Sequence, residues 1–198
     1  LMQLYLLLQL FLIVILALNL NLEVGDFLKQ NQLKKIQNNS MSEIRLGILG
    51  GGQLGSMLSV AAKKLNIKTL IYSDDQDAPA QNFCDEFMFG DYKDKNKIND
   101  FVKKVSIVTY EFENIPYETL NEINKFKTVN PKPSINRLIQ HRLAEKDFVN
   151  KLNIRTTRYV SIEKKSDLET LGDFLPGILK TVTMGYDGKG QYPIKSLN

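Results

Sequence analysis

From residue 44 to about residue 130 the chain alternates short apolar runs with amphipathic helical stretches, and few folds accept that alternation. Residues 44–49 are a compact apolar run, after which Leu54, Met57, Leu58, Ala61, Ala62 and Leu65 recur at helical spacing. Residues 68–72 read as a second strand and 86–89 as a short third. Ile98, Phe101 and Val102 mark a helix, and 105–110 is a β-branched strand. Pro116 suits the first turn of a further helix through Ile123, and Thr128 and Val129 resume extended structure. Strands alternating with helices imply right-handed βαβ units and a parallel sheet covered on both faces. The expectation is a doubly wound α/β domain over residues 41–133.

Pro131 and Pro133 interrupt the pattern. Ser134 is the expected N-cap of a long helix carrying Leu138, Ile139, Leu143, Phe148 and Leu152. A strand at 157–161, a helix at 167–174, a strand at 178–182, a glycine-rich turn and a strand at 192–194 should follow. This second unit, 134–198, has too little apolar surface to bury by itself and is expected to be incomplete.

The first forty residues differ. Residues 4–22 are almost unbroken Leu, Ile, Val and Phe, long enough to cross a bilayer, but they lack the basic region and cleavage site of a secretory signal. A polar stretch leads to Met41, just before the first strand. The expectation is that residues 1–40 are translated upstream sequence and that the working protein starts at Met41. Of the whole chain's 198 residues one is a cysteine, Cys84, which excludes an internal disulfide and fits a reducing compartment, the cytoplasm. With no basic neighbour in sequence, Cys84 reads as a passive, half-buried thiol. The net charge of +4 comes from lysines interleaved with acids, without the arginine blocks or aromatic-basic stripes of nucleic-acid binding.

Three motifs carry chemistry. Gly50-Gly51-Gly52-Gln53-Leu54-Gly55 joins the first strand to the first helix, where glycines let a ligand approach and the helix N-terminus offers free N–H groups to an anion. With Asp74 and Asp75 ending the second strand, the turn alone would suit an NAD-dependent oxidoreductase; it would equally suit a turn that needs glycine only for packing. Thr109-Tyr110-Glu111-Phe112-Glu113-Asn114-Ile115-Pro116 ends the fourth strand at the sheet edge where ligands bind. Alternation would put Glu111 and Glu113 on one side, and their plainest role is a solvated strand end with a capping acid. Last, Lys180 ends the apolar run 177–180, and Met184-Gly185-Tyr186-Asp187-Gly188-Lys189-Gly190-Gln191 follows. Such a loop can fold backbone N–H groups over phosphates, with the lysine as a fixed cation beneath. A hairpin turn would explain the glycines but not Lys180 or the Tyr-Asp pair.

Taken in order, residues 47–55, Asp77-Ala78-Pro79-Ala80, the Tyr-Glu-Phe-Glu-Asn-Ile-Pro run at 110–116, Arg142-Leu143 with Glu145-Lys146, and Lys180 with 185–191 resemble N5-carboxyaminoimidazole ribonucleotide synthetases, which are ATP-grasp enzymes. The resemblance runs from residue 44 to residue 198. It implies a Rossmann-like preATP-grasp domain followed by a truncated ATP-grasp domain. It implies ATP-dependent carboxylation of 5-aminoimidazole ribonucleotide with bicarbonate, in purine biosynthesis. By the same resemblance Arg142, Lys180, Gly185, Tyr186, Asp187, Gly188, Lys189, Gly190 and Gln191 are ATP contacts, with Lys180 and Asp187 catalytic. Gly51, Gly52, Gln53, Leu54, Glu113 and Tyr186 would contact the ribonucleotide. The family's Mg2+ ligands fall downstream of Asn198, so no metal ligands are expected in this chain and the chain alone should not turn over. The resemblance suggests a homodimer when full length. Two departures stand out: Ser56 where the family often has Arg, and Met184 in place of the first glycine of a pair. A membrane-anchored α/β binding module using residues 4–22 is the third reading.

Overall fold

In the structure, a computed structural model, residues 44–185 and 188–196 are described. Four parallel strands form one sheet in the order β3-β2-β1-β4. They are β1 (Arg45–Leu49), β2 (Lys68–Ser73), β3 (Glu86–Phe89) and β4 (Ile107–Tyr110). The chain winds from β1 to β3 in one direction, then crosses over to lay β4 on the free side of β1. The strand order therefore reverses between β1 and β4, and their carboxyl ends flank the crevice where an open parallel sheet binds ligands.

Both faces are covered, as period-2 alternation in buried strands requires. Leu46 and Ile48 of β1 point to one face and join Ala62 of α1 (Gln53–Lys64) and Ala80 of a 3-10 turn (Pro79–Asn82). Leu49 points to the other face, where Phe101 and Val102 of α2 (Lys95–Lys104) and Leu120 and Ile123 of α3 (Tyr117–Ile123) pack with Tyr72 and Val108. Gly47 lies beneath the Phe101 ring, which leaves no space there for a side chain. Helix α2 starts where Asp94 accepts hydrogen bonds from the Asn96 and Lys97 N–H groups, at 3.0 and 3.1 Å. Val129 adds one parallel bridge to Val108.

The second unit departs from expectation in three places. The long helix is two, α4 (Pro133–Ile139) and α5 (Arg142–Lys151). Pro133 opens α4, so Ser134 lies inside the helix and is not its cap. The break falls at residues 140 and 141. Gln140 turns back to donate from Nε2 to the carbonyls of Glu113 (2.7 Å) and Ile115 (2.8 Å), and His141 Nδ1 accepts from the Ala144 N–H at 3.2 Å. His141 thus caps α5. Residues 157–161 take no regular secondary structure and pair with no strand among the described residues, and 167–174 falls in two 3-10 segments, Lys165–Thr170 and Gly172–Phe174. The last two strands, β5 (Gly177–Lys180) and β6 (Gln191–Ile194), form an antiparallel hairpin with Lys180 opposite Gln191. The hairpin leaves Ile178 60% and Tyr192 69% exposed, so its apolar residues are largely uncovered among the described residues.

No helix among the described residues is long and apolar enough to cross a membrane. The apolar run 4–22 and the start at Met41 lie outside the described residues.

Candidate functional site

The crevice between β1 and β4 holds a carboxyl group from the chain itself, that of Glu111. The Gly52 N–H donates to Glu111 Oε1 at 2.7 Å. Gly50 has φ +104°, and a Cβ there would stand 2.7 Å from the same oxygen; one on Gly52 would stand 3.1 Å away. These two glycines are therefore required both by the turn and by the close approach of a carboxylate. Burial pushes the Glu111 pKa up, and the Gly52 hydrogen bond opposes part of that rise. The plain reading of Glu111 as a solvated strand end is corrected: β4 stops at Tyr110, and the next side chain folds into the glycine turn. Strand alternation then lapses, so Glu113 departs to a different neighbourhood and bears electrostatically on Glu145.

The oxidoreductase reading fails on the same geometry. A pyrophosphate would need the N–H that Glu111 already engages, and Asp74 is exposed beyond the end of β2. Gly51 is close-packed, since a Cβ on it would come within 2.5 Å of the Ala78 Cβ. Its carbonyl accepts from the Ala80 N–H at 3.0 Å, which explains the Asp77-Ala78-Pro79-Ala80 run as a cover for the turn. Gln53 is exposed and Leu54 half-buried at the start of α1. Ser56 donates from Oγ to the Gly52 carbonyl at 3.1 Å, a bond internal to the helix. Cys84 is half-buried and its thiol pKa is raised by burial, in keeping with a passive role.

A second cluster gathers where α5 meets the hairpin. The Arg142 N–H donates to the Val182 carbonyl (2.9 Å), its Nε to the Thr181 carbonyl (3.3 Å) and its Nη2 to the Gly185 carbonyl (3.1 Å). Arg142 therefore clasps the chain just past Lys180, where the glycine loop begins. The loop is closed at its far end by the Thr181 N–H, which donates to the Gly190 carbonyl at 2.8 Å. Gly188 (φ +82°) and Gly190 (φ +65°) use backbone that other residues adopt reluctantly, and a Cβ on Gly190 would collide with Thr181 Oγ1. Met184 sits at φ +60° without being glycine, so the departure noted in the sequence falls on a left-handed position.

Lys180 is exposed at the end of β5, and Gln191 faces it across the ladder. The structure thus brings Arg142, Lys180, Gly185, Gly188, Lys189, Gly190 and Gln191 to one end of the hairpin; Tyr186 and Asp187 lie outside the described residues. Two further groups join them. Burial raises the Glu145 pKa, Arg142 and Lys146 lower it, and Glu113 raises it. Burial lowers the Lys146 pKa, and the charges of Lys180 and Arg142 lower it further. Beside the loop, a cleft of about 400 Å³ is lined by Asn114, Tyr117, Arg137, Gln140 and Met184. The Arg137 guanidinium lies 4.9 Å over the Tyr117 ring, and Asn114 Nδ2 is buried with no hydrogen-bond partner among the described residues. No periodicity signalled this cleft, because its wall comes from the break between α4 and α5. No group of three or more His, Cys, Asp or Glu placed to hold a metal occurs among the described residues.

Residues 41–140 match the ribonucleotide synthetase preATP-grasp domain. The chain belongs to that family. Residues 147–198 match the ATP-grasp domain. A bifunctional purine synthesis protein of Dictyostelium discoideum is 40% identical over 148 residues, covering 74% of this chain and 15% of that protein. The N5-carboxyaminoimidazole ribonucleotide synthase of Staphylococcus epidermidis is 35% identical over 155 residues, covering 76% of this chain and 41% of the synthase. Among solved structures, the Staphylococcus aureus N5-carboxyaminoimidazole synthetase complexed with ADP superposes with TM-score 0.74 at 31% identity, over 81% of this chain and 43% of that one. The Aspergillus clavatus synthase in complex with ADP and 5-aminoimidazole ribonucleotide superposes with TM-score 0.66 at 27% identity, over 78% and 41%. The chain thus spans about two fifths of the length of the synthases that it matches.

Proposed function

We propose that this preATP-grasp chain is the amino-terminal part of an ATP-dependent ligase that carboxylates 5-aminoimidazole ribonucleotide with bicarbonate, in the cytoplasm and as a homodimer. The observation that carries the reading is the Arg142 clasp on the Thr181 and Gly185 carbonyls, which sets a second cation beside Lys180 at the root of a glycine loop. Two cations and a run of loop N–H groups suit a polyphosphate tail. The ADP and ribonucleotide complexes of its relatives support the same assignment. Residues 41–133 would form the preATP-grasp domain and 134–198 the start of the ATP-grasp domain.

In this reading a bicarbonate oxygen attacks the γ-phosphorus of ATP, the bond to the β-phosphate oxygen breaks, and ADP leaves. The resulting carboxyphosphate is attacked at carbon by the exocyclic amine of the ribonucleotide, and inorganic phosphate departs with the bonding electrons. Lys180 and the 185–191 backbone neutralise charge on the transferring phosphoryl oxygens. Asp187 acts at the reacting centre, and Tyr186, Glu113 and the Gly51, Gly52, Gln53, Leu54 turn face the ribonucleotide. Glu111 holds that turn open by engaging the Gly52 N–H. Mg2+ would screen the phosphates, and by the family resemblance its ligands would lie downstream of Asn198.

The test uses the chain completed to the length of its relatives. Phosphate release from ATP should require both bicarbonate and aminoimidazole ribonucleotide, and release independent of the ribonucleotide would refute the assignment. Lys180→Ala should lower turnover by at least about tenfold, ~1.4 kcal/mol of barrier. An unchanged rate would remove Lys180 from the chemistry.

A further inference from the structure

Helix α5 presents a third cation one turn beyond Arg142. Lys146 stands four residues on, hence on the same side of the helix, and Arg142 shows that this side rests on the turn after β5. The Lys146 ammonium is aimed by neutral groups. It donates to Thr157 Oγ1 at 2.9 Å and to the Thr157 carbonyl at 3.3 Å, and it lies 5.0 Å from the centre of the Tyr159 ring. The Tyr159 hydroxyl is itself anchored on Asp147, so this seat is braced from behind. Lys146 forms no ion pair among the described residues, although Glu145 is its neighbour in sequence.

The hydrogen bonds of Lys146 go to neutral oxygens, which leaves its charge to be shared between the neighbouring Glu145 and an incoming anion. Gathering like charges in a partly desolvated corner is unfavourable: burial and the charges of Lys180 and Arg142 weigh against the protonated amine, and Glu145 offsets only part of that. A compact ammonium on a tethered stem is a point charge suited to phosphate.

We propose that Lys146 is a third phosphate-binding residue, its ammonium aimed by Thr157 and Tyr159 to join Arg142 and Lys180 around the polyphosphate of a bound nucleoside triphosphate. This rests on the ATP reading above. In the completed chain, Lys146→Gln and Lys146→Arg are compared with the unsubstituted protein for equilibrium binding of ATP and of AMP. Lys146→Gln should weaken ATP about tenfold or more, while AMP changes less than about twofold, because the loss scales with the phosphates present. Lys146→Arg keeps the charge and should bind ATP within about threefold of the unsubstituted protein. A merely structural lysine would weaken both ligands alike, and that result, or no loss at all, overturns the proposal. Should Lys146→Gln fail to fold, the arginine variant decides: loss of ATP and AMP together would refute a charge-based role. Failure of the unsubstituted protein to bind ATP would overturn the ATP reading and this one together, whereas normal binding with an unaffected Lys146→Gln sinks only the role of Lys146.

Discussion

Gly47 is a strand residue, not part of the glycine turn, and it offers a measurable test of how the sheet is packed. Its backbone is ordinary strand, so alanine meets no conformational penalty there and would restrict the unfolded chain, a gain of about 0.4–1 kcal/mol. Against that, a Cβ at position 47 would stand 2.6 Å from Phe101 Cζ and 3.0 Å from Val105 Cγ1. Carbon contacts are relaxed at about 3.5–4.0 Å, so the ring must retreat by about 1 Å into a core where it is already fully buried. Overpacking of this kind costs about 1–3 kcal/mol, which outweighs the gain. Phe101→Leu removes three carbons, roughly 2.4 kcal/mol at ~0.8 kcal/mol for each, together with the edge-on contact to Tyr72 at 5.7 Å. The double variant should be the informative one, because the alanine methyl enters space that the ring has vacated. It should be at least about 1 kcal/mol more stable than the sum of the single losses predicts. Urea unfolding of all four proteins measures this directly, provided the slope of the transition is unchanged. Additivity within about 0.5 kcal/mol would mean that the ring is not what excludes a side chain from position 47.

Three other outcomes are expected. Glu111 has a pKa raised above its ordinary 4.5 by burial, so the stability it lends is complete below that value and is lost as pH rises through its folded value. Glu111→Gln keeps an acceptor for Gly52 but cannot ionise, and unfolding midpoints between about pH 4 and 8 should show a flatter profile than the unsubstituted chain; identical profiles would show that the carboxyl is not desolvated. Gly190→Ala combines φ +65° with a clash against Thr181 Oγ1, and should cost about 1–3 kcal/mol in thermal unfolding, against a negligible effect if the turn can relax. Asp94→Ala removes the acceptor for two α2 N–H groups and should cost about 1 kcal/mol, checked by the same measurement.

Much of the sheet was legible because hydrophobic period carries it: residues 68–72, 86–89 and 105–110 lie within a residue or two of β2, β3 and β4. The misses come from long-range partners that local pattern does not contain, made in one case and missing in the other. The apolar residues from Leu138 to Leu152 keep a helical spacing across the break, but Gln140 is drawn away by two carbonyls more than twenty residues upstream, and the helix must restart at His141. Residues 157–161 have strand composition but no neighbour to pair with among the described residues, and composition alone cannot supply one.

The glycine turn shows the same limit at the functional site. Strand, glycines and helix together read as a cradle for a phosphate, and locally they are one: the N–H groups are there and the backbone is open. What decides its use is a carboxylate 59 residues away, brought to Gly52 because β4 lies beside β1 and ends one residue before it. An exogenous phosphate at this N–H would have to displace Glu111 from it. A ligand that approaches without competing for that N–H, presenting a donor to the other carboxylate oxygen, would be favoured instead. An amine or hydroxyl of a ribonucleotide meets that condition and a dinucleotide's pyrophosphate does not. What occupies the Gly52 N–H therefore rests on strand order, which no window around the glycines contains.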